Sequence, residues 1–248
     1  MGGAMLDVRD LKKSFAGFLA VADVTFSLLP RSVTAIIGPN GAGKSTLFNL
    51  ITGHIPPSGG QVFHKGTDIT AAAPHRICRR GIGRSFQHTN IFPGLTVFEC
   101  IQAAFIAHHG RGRNIWARAE LLYRAETDAL LGRLGLADKA DAVAGALSHG
   151  NQKQIELGIA LASDPDILLL DEPTAGMSAI ETRETIRLLR SITEERGLTL
   201  LFTEHDMEVV FGIAERIGVL HQGRLIALGT PDEIRADPEV RRIYLGGH

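Results

Sequence analysis

The sequence predicts an α/β fold built on a mostly parallel sheet. Short apolar, β-rich runs at 33–37, 166–170 and 198–203 each stop at a glycine or an acid, as buried strands do. Each is followed by a segment of helical pattern, at 44–52, 179–196 and 206–214. That alternation favours parallel pairing, since parallel neighbours need a crossover between them. With 248 residues, 44% hydrophobic and 21% charged, the chain is long enough for one well-buried domain.

Val33-Thr34-Ala35-Ile36-Ile37 reads as a buried strand entering a turn at Gly38, and 44–52 as a helix stopped by Gly53. Residues 54–60 are a loop by composition, and 61–69 a hairpin about Lys65-Gly66. Thr96 and Glu99 form a capping-box pattern that opens an apolar helix reaching about Ala107. A polar, glycine-containing break at 108–114 precedes an amphipathic helix over 116–134, with Leu122, Leu130 and Leu134 on its apolar positions. Residues 88–165 are thus expected to be mostly helical, which suggests a helical subdomain. Further on, 179–196 is a helix ended by Gly197, and 216–221 with 224–228 a hairpin about Gln222-Gly223. Thr230-Pro231-Asp232-Glu233 opens a last helical piece with its cap, first-turn proline and third-position glutamate in place. No linker divides the chain and no internal repeat is visible, so 1–248 reads as one domain.

The charge balance, 26 basic against 27 acidic residues, lacks the basic excess of a nucleic-acid binder. The densest basic cluster, Arg76, Arg79, Arg80 and Arg84, reads as a solvated or partner-facing surface. Cys78 and Cys100 match no metal spacing and no disulfide framework, which fits a reducing cytosol. No secretory signal and no run of about 18 apolar residues is visible. Any membrane role is therefore expected to run through a partner.

Gly38-Pro39-Asn40-Gly41-Ala42-Gly43-Lys44-Ser45 fits G-x-x-x-x-G-K-[ST], between a strand and a helix. A triphosphate needs several backbone N–H groups converging on it, and glycines allow the tight curl and close approach. The helix that follows adds its positive end. Lys44 would neutralise β- and γ-phosphate oxygens, and Ser45 would offer its hydroxyl to Mg²⁺. The motif predicts nucleotide binding without saying what is done with the nucleotide.

The apolar run before Asp171 and Glu172 delivers both acids to the carboxyl edge of the sheet, where ligands of α/β sheets sit. Asp171 can hold Mg²⁺, usually through water, opposite Ser45. Glu172 can position and polarise the attacking water. His205 follows the next strand and can contact the γ-phosphate; a lone histidine is more often a surface residue, but its place one strand after the acids favours the site. Gln87 closes Gly83-Arg84-Ser85-Phe86-Gln87, where an amide can contact Mg²⁺ and the lytic water.

Taken in order, Gly38 to Ser45, Gln87, Leu147-Ser148-His149-Gly150-Asn151, the acidic strand end and His205 resemble the ATPase subunits of ABC transporters, over about residues 6–246. The most diagnostic stretch is 147–151, usually L-S-G-G-Q; here His149 and Asn151 depart from it, while Ser148 and Gly150 are kept. The resemblance implies a P-loop NTPase core with an antiparallel β subdomain and a helical subdomain at about 88–165. It implies two subunits, the same chain or a paralogue, facing head to tail, with ATP between residues 38–46 of one, Thr46 included, and Ser148 and Gly150 of the other. Phe15 falls where the family sets an aromatic against adenine, a core phenylalanine being the alternative. Ala175-Gly176-Met177-Ser178 stands where the family's D-loop ends in aspartate, so Ser178 is a departure.

Arg84-Ser85-Phe86-Gln87, residues 91–97, Glu204-His205-Asp206-Met207 and the tail 243–246 resemble the subunits of branched-chain amino acid importers, and Ser148-His149-Gly150 those of urea and amide importers. That implies ATP and Mg²⁺ as cofactors, and integral membrane permeases and, indirectly, a solute-binding protein as partners, at the cytoplasmic side of the inner membrane and without nucleic acid. The alternatives are an importer of another small organic solute and a soluble ABC ATPase of the repair or translation type. One compact chain argues against the latter, and the 147–151 segment argues against a P-loop kinase or GTPase. A regulatory module that binds without hydrolysing is disfavoured by Glu172 and His205.

Overall fold

The computed structural model describes residues 3–85, 91–109 and 122–245, with side chains through 243. Two sheets organise it. The first is antiparallel, with strands β1 (Leu6–Phe15), β2 (Phe18–Leu28), β4 (Gly59–His64) and β5 (Thr67–Asp68) in the order β2-β1-β4-β5. The second has six strands in the order β10-β9-β3-β8-β7-β6. Its members are β3 (Val33–Ile37), β6 (Ile82–Arg84), β7 (Ile167–Asp171), β8 (Thr199–Thr203), β9 (Arg216–His221) and β10 (Arg224–Gly229). Five of these strands run parallel, and β10 closes the edge as the antiparallel arm of a hairpin.

The central strands are buried on both faces, which explains why they read as unbroken apolar runs. Ile36, Ile167, Leu169 and Leu201 face one core, shared with the antiparallel sheet and with helix α1 (Lys44–Ile51). Ala35, Ile37, Leu168, Leu170, Leu200 and Phe202 face the other. That second core also takes in α3 (Val97–His108), α4 (Arg124–Arg133), α5 (His149–Leu161), α6 (Ala179–Arg196) and α7 (Met207–Ile213). The helices of the middle segment therefore bury their apolar faces in the same cluster as the sheet.

Three capping boxes are formed, the first and last of them expected from the sequence. Thr96 with Glu99 opens α3, Ser178 with Glu181 opens α6, and Thr230 with Glu233 opens α8 (Pro231–Ala236). Gly197 ends α6 at φ 62°.

The structure corrects the expected helix over 116–134. It begins at Arg124, because Tyr123 adopts a left-handed φ of 54° and Leu122 lies in the turn before it; residues 110–121 lie outside the described residues. Leu130 and Leu134 are buried as expected. Strands β1 and β2, helix α2 (Pro74–Arg79) and strand β6 are additions to the sequence reading. In β1 the register shifts between Val8 and Leu11, and Asp10 sits at φ 46°. Those irregularities break the period of two that betrays a strand.

Candidate functional site

The carboxyl ends of β3, β7 and β8, neighbours in the sheet, bring the candidate residues together. After β3 the chain curls through residues 38–43 into α1, whose N-terminus carries no side-chain cap and so keeps its amides for an anion. Gly43, the N-cap, has φ 104°, and a Cβ on it would stand 2.5 Å from the Ala20 carbonyl. Only glycine fits there. Lys44 is buried, and its Nζ donates to the carbonyls of Gly38 at 2.7 Å and Pro39 at 3.2 Å. Burial pulls the Lys44 ammonium below the usual lysine range, against the opposing pull of Glu172 and Asp171.

β7 ends in Asp171, which is fully enclosed. Its Oδ1 accepts from the Thr203 hydroxyl at 2.7 Å, while its Oδ2 is buried with no hydrogen-bond partner, the Arg84 guanidinium standing 3.7 Å away. Glu172 follows at φ 52°, a left-handed conformation that costs a non-glycine residue about 1 kcal/mol or more. Its amide is held by the Thr203 carbonyl at 3.2 Å and hydroxyl at 3.1 Å. The turn swings the Glu172 carboxylate out of the strand, where its Oε1 lies 2.9 Å from His205 Nε2.

A cleft of about 390 Å³ opens over this edge, lined by Phe15, Phe18, Ala20, residues 40–46 and Glu172. Phe15 is 46% exposed, which removes the core alternative for it, and Phe18 stands in the same wall at 67%. The two rings flank a hairpin turn through Ala16 and Gly17, both at positive φ. Phe18 escaped the sequence reading because a lone aromatic in an unrecognised strand carries no signal.

Ser148 and Gly150 do not line that cleft. Ser148 is exposed and caps α5, accepting from the Asn151 amide at 3.3 Å. Gly150 is buried, and a Cβ there would meet Glu181 Oε1 at 2.5 Å. His149 packs over Gly176, whose added Cβ would come within 3.2 Å of its Nδ1. Exposed Ser148 and His149 thus share one surface with Gly176 in the turn before α6. Ser178 keeps the capping role that aspartate also performs, so the departure costs α6 nothing. Gln87 lies outside the described residues.

Two further residues emerge only in three dimensions. Arg84 leaves the basic surface cluster in which sequence placed it. Its side chain is buried and donates to Asn49 Oδ1 and Thr52 Oγ1, both at 2.7 Å, pinning β6 to α1; Arg76, Arg79 and Arg80 are exposed as expected. Glu204 is buried and accepts from Thr174. The alternation of acid and histidine at 204–205 could have flagged it, but nothing in sequence says which way it faces.

Residues 21–175 match the family described as ABC transporter, and 224–248 match the one described as branched-chain amino acid ATP-binding cassette transporter. The chain belongs to the ABC transporter family. It is 37% identical over 255 residues to the high-affinity branched-chain amino acid transport ATP-binding protein LivG of Escherichia coli, covering 99% of each chain. It is 36% identical over 255 residues to the corresponding protein BraF of Pseudomonas aeruginosa, again covering 99% of each. Among solved structures it resembles an ATP-binding cassette of an ABC transporter in its ADP conformation, with 31% identity, a TM-score of 0.85 and coverage of 98% and 99%. It also resembles the dimeric post-hydrolysis state of an ATP-binding cassette bound to ADP and Pi, with 25% identity, a TM-score of 0.80 and coverage of 91% and 98%. This ABC protein is therefore an ATP-binding ATPase. ATP-binding subunits of the family are peripheral to the membrane and work as dimers with membrane permeases. Among the described residues of this one, no helix is long and apolar enough to cross a bilayer.

Proposed function

We propose that the chain powers an importer of branched-chain amino acids or related small amino acids and amides. It would do so from the cytoplasmic face of the inner membrane, with permeases and, through them, a solute-binding protein as partners. The observation that carries the ATPase half of this reading is the 2.9 Å contact between Glu172 and His205 at the rim of a cleft walled by residues 40–46. The importer class is supported by similarity to LivG and BraF along nearly the whole chain and by the match at 224–248.

In this reading residues 38–46 cradle the phosphates by backbone amides, and Lys44 leaves the loop carbonyls to meet them. Phe15 stacks on the adenine. Glu172 accepts a proton from the attacking water and His205 holds that carboxylate in place. Ser45 and Asp171, with Gln87, would hold Mg²⁺. The buried Oδ2 of Asp171, which has no hydrogen-bond partner and stands 3.7 Å from the Arg84 guanidinium, fits a hard cation that takes oxygen ligands, directly or through water. When bound, the ion neutralises charge on the phosphate oxygens. Ser148 and Gly150 serve the ATP of a second subunit, identical or paralogous, with the amino end of α5 facing the γ-phosphate. Residues 88–165 make up the helical subdomain within a single nucleotide-binding domain.

The reading is tested by ATPase activity of purified protein, alone and reconstituted in vesicles with its permeases and a binding protein loaded with leucine or valine. Turnover per chain rises with protein concentration, and loaded binding protein stimulates it. Concentration-independent turnover by a monomer would remove the shared site. Stimulation by another small solute alone would move the cargo to the second reading, an importer of a different organic solute.

A further inference from the structure

The ends of β7 and β8 are joined residue by residue. Thr203 donates to Asp171 and accepts from the Glu172 amide. His205 meets the Glu172 carboxylate. Glu204, between them, turns the other way, into the interior, and is 3% exposed. Its Oε1 accepts from the Thr174 amide at 2.8 Å and the Thr174 hydroxyl at 2.7 Å, and its Oε2 accepts from the His205 amide at 3.2 Å.

A carboxylate in such a place is costly to desolvate, and its three partners offset that cost without making it a favourable choice over an apolar residue. Stability alone therefore does not account for it. Burial pushes the Glu204 carboxyl up; the bonds from Thr174 and His205 oppose this, and the nearby Glu172 charge adds to it. What the carboxylate achieves geometrically is a bridge. One oxygen holds the start of the turn that runs from Thr174 to the cap Ser178, and the other holds the backbone of His205.

We propose that Glu204 is a positioning residue for ATP hydrolysis, tying the turn at 174–178 to the backbone of His205 so that the imidazole is presented to Glu172. The proposal rests on the reading of Glu172 and His205 given above. It also gives the exposed surface formed by His149 and Gly176 a physical route to the hydrolytic pair, through Thr174 and Glu204.

The test is Glu204→Gln, which keeps the volume but replaces one accepting oxygen by an amide donor, so that Thr174 or His205 loses its acceptor. Steady-state phosphate release should show kcat lowered about tenfold, the scale of one misplaced hydrogen bond. KM for ATP and binding of a non-hydrolysable analogue should stay unchanged. Thr174→Val, which removes one donor, should lower kcat in the same way, and Thr174→Ser should restore it. Glu172→Gln is measured in parallel. If Glu172→Gln is inactive while Glu204→Gln and Thr174→Val keep the parent kcat, the bridge is wrong and the catalytic reading stands; normal turnover in Glu172→Gln overturns the catalytic reading instead. Equal loss of nucleotide binding and kcat in Glu204→Gln also overturns the bridge. Should Glu204→Gln not fold, the contrast between Thr174→Val and Thr174→Ser decides alone.

Discussion

His205 Nε2 stands 2.9 Å from Glu172 Oε1, joining the ends of two neighbouring parallel strands across the rim of the cleft. Glu172 escapes its strand only by adopting φ 52°, held there by Thr203, and strain of this kind persists where surrounding contacts over-determine it. The pair therefore reads as one unit, with the imidazole fixing the carboxylate that we propose takes the proton.

Glu172→Gln removes the proposed proton acceptor and keeps the shape. We expect kcat to fall by about 10²–10⁴-fold, the range of general-base contributions, with ATP still bound. The variant should accumulate as an ATP-bound dimer, seen by light scattering on a sizing column, because the step that releases the two subunits is blocked. Ordinary turnover in this variant would remove Glu172 from the role.

Gly43→Ala adds a methyl that meets the Ala20 carbonyl at 2.5 Å, at a φ of 104° where L-residues are strained. The cost is about 2 kcal/mol, and Tm should fall by roughly 4–8 °C for a chain of this length. Since the loop must shift to relieve the contact, ATP affinity should fall with it. Calorimetry and nucleotide titration check the two together, and an unchanged Tm would contradict the geometry.

Much of this site was legible in the sequence, for a physical reason. Strands β3, β7 and β8 are buried on both faces, so each is an apolar run with a sharp end, and the residue just past that end is the one the sheet's edge presents. Asp171, Glu172 and His205 are found that way, and Lys44 by the glycine-rich motif that follows β3. Strands β1 and β2 were not legible, since bulges near Asp10 interrupt their alternation, and with them went Phe18. Arg84 was misplaced because a guanidinium reads as surface until its partners Asn49, Thr52 and Asp171, distant in sequence, are known. Glu204 is the same case: its role depends on Thr174, 30 positions earlier.

Ser148 separates two functions that one substitution can confuse. It caps α5, and it is the candidate contact to the other subunit's ATP. Ser148→Arg should abolish hydrolysis and leave nucleotide binding by the monomer largely intact, but it also costs the cap, about 1 kcal/mol. Ser148→Asp keeps the cap and sets a carboxylate towards the triphosphate. We expect Ser148→Asp to melt like the parent and to be inactive. A Ser148→Asp protein with parental turnover would place the second contact elsewhere.

His64 provides the pH test. It is 4% exposed on β4, and its Nε2 has no hydrogen-bond partner. Burial, first, and the charges of Lys65 and Arg80 hold its pKa below the ordinary 6.5, while Asp166, 4.0 Å away, pulls the other way. Its depressed native value means that below about pH 6.5 the unfolded chain binds more protons at this position than the native one. Stability from this group is therefore complete above pH 6.5 and is lost as pH falls below it towards the native value. Denaturant melts of the parent and of His64→Gln between pH 7.5 and 5 should differ in slope, the parent losing more on acidification. Parallel curves would show that His64 takes up its proton as readily in the fold as outside it.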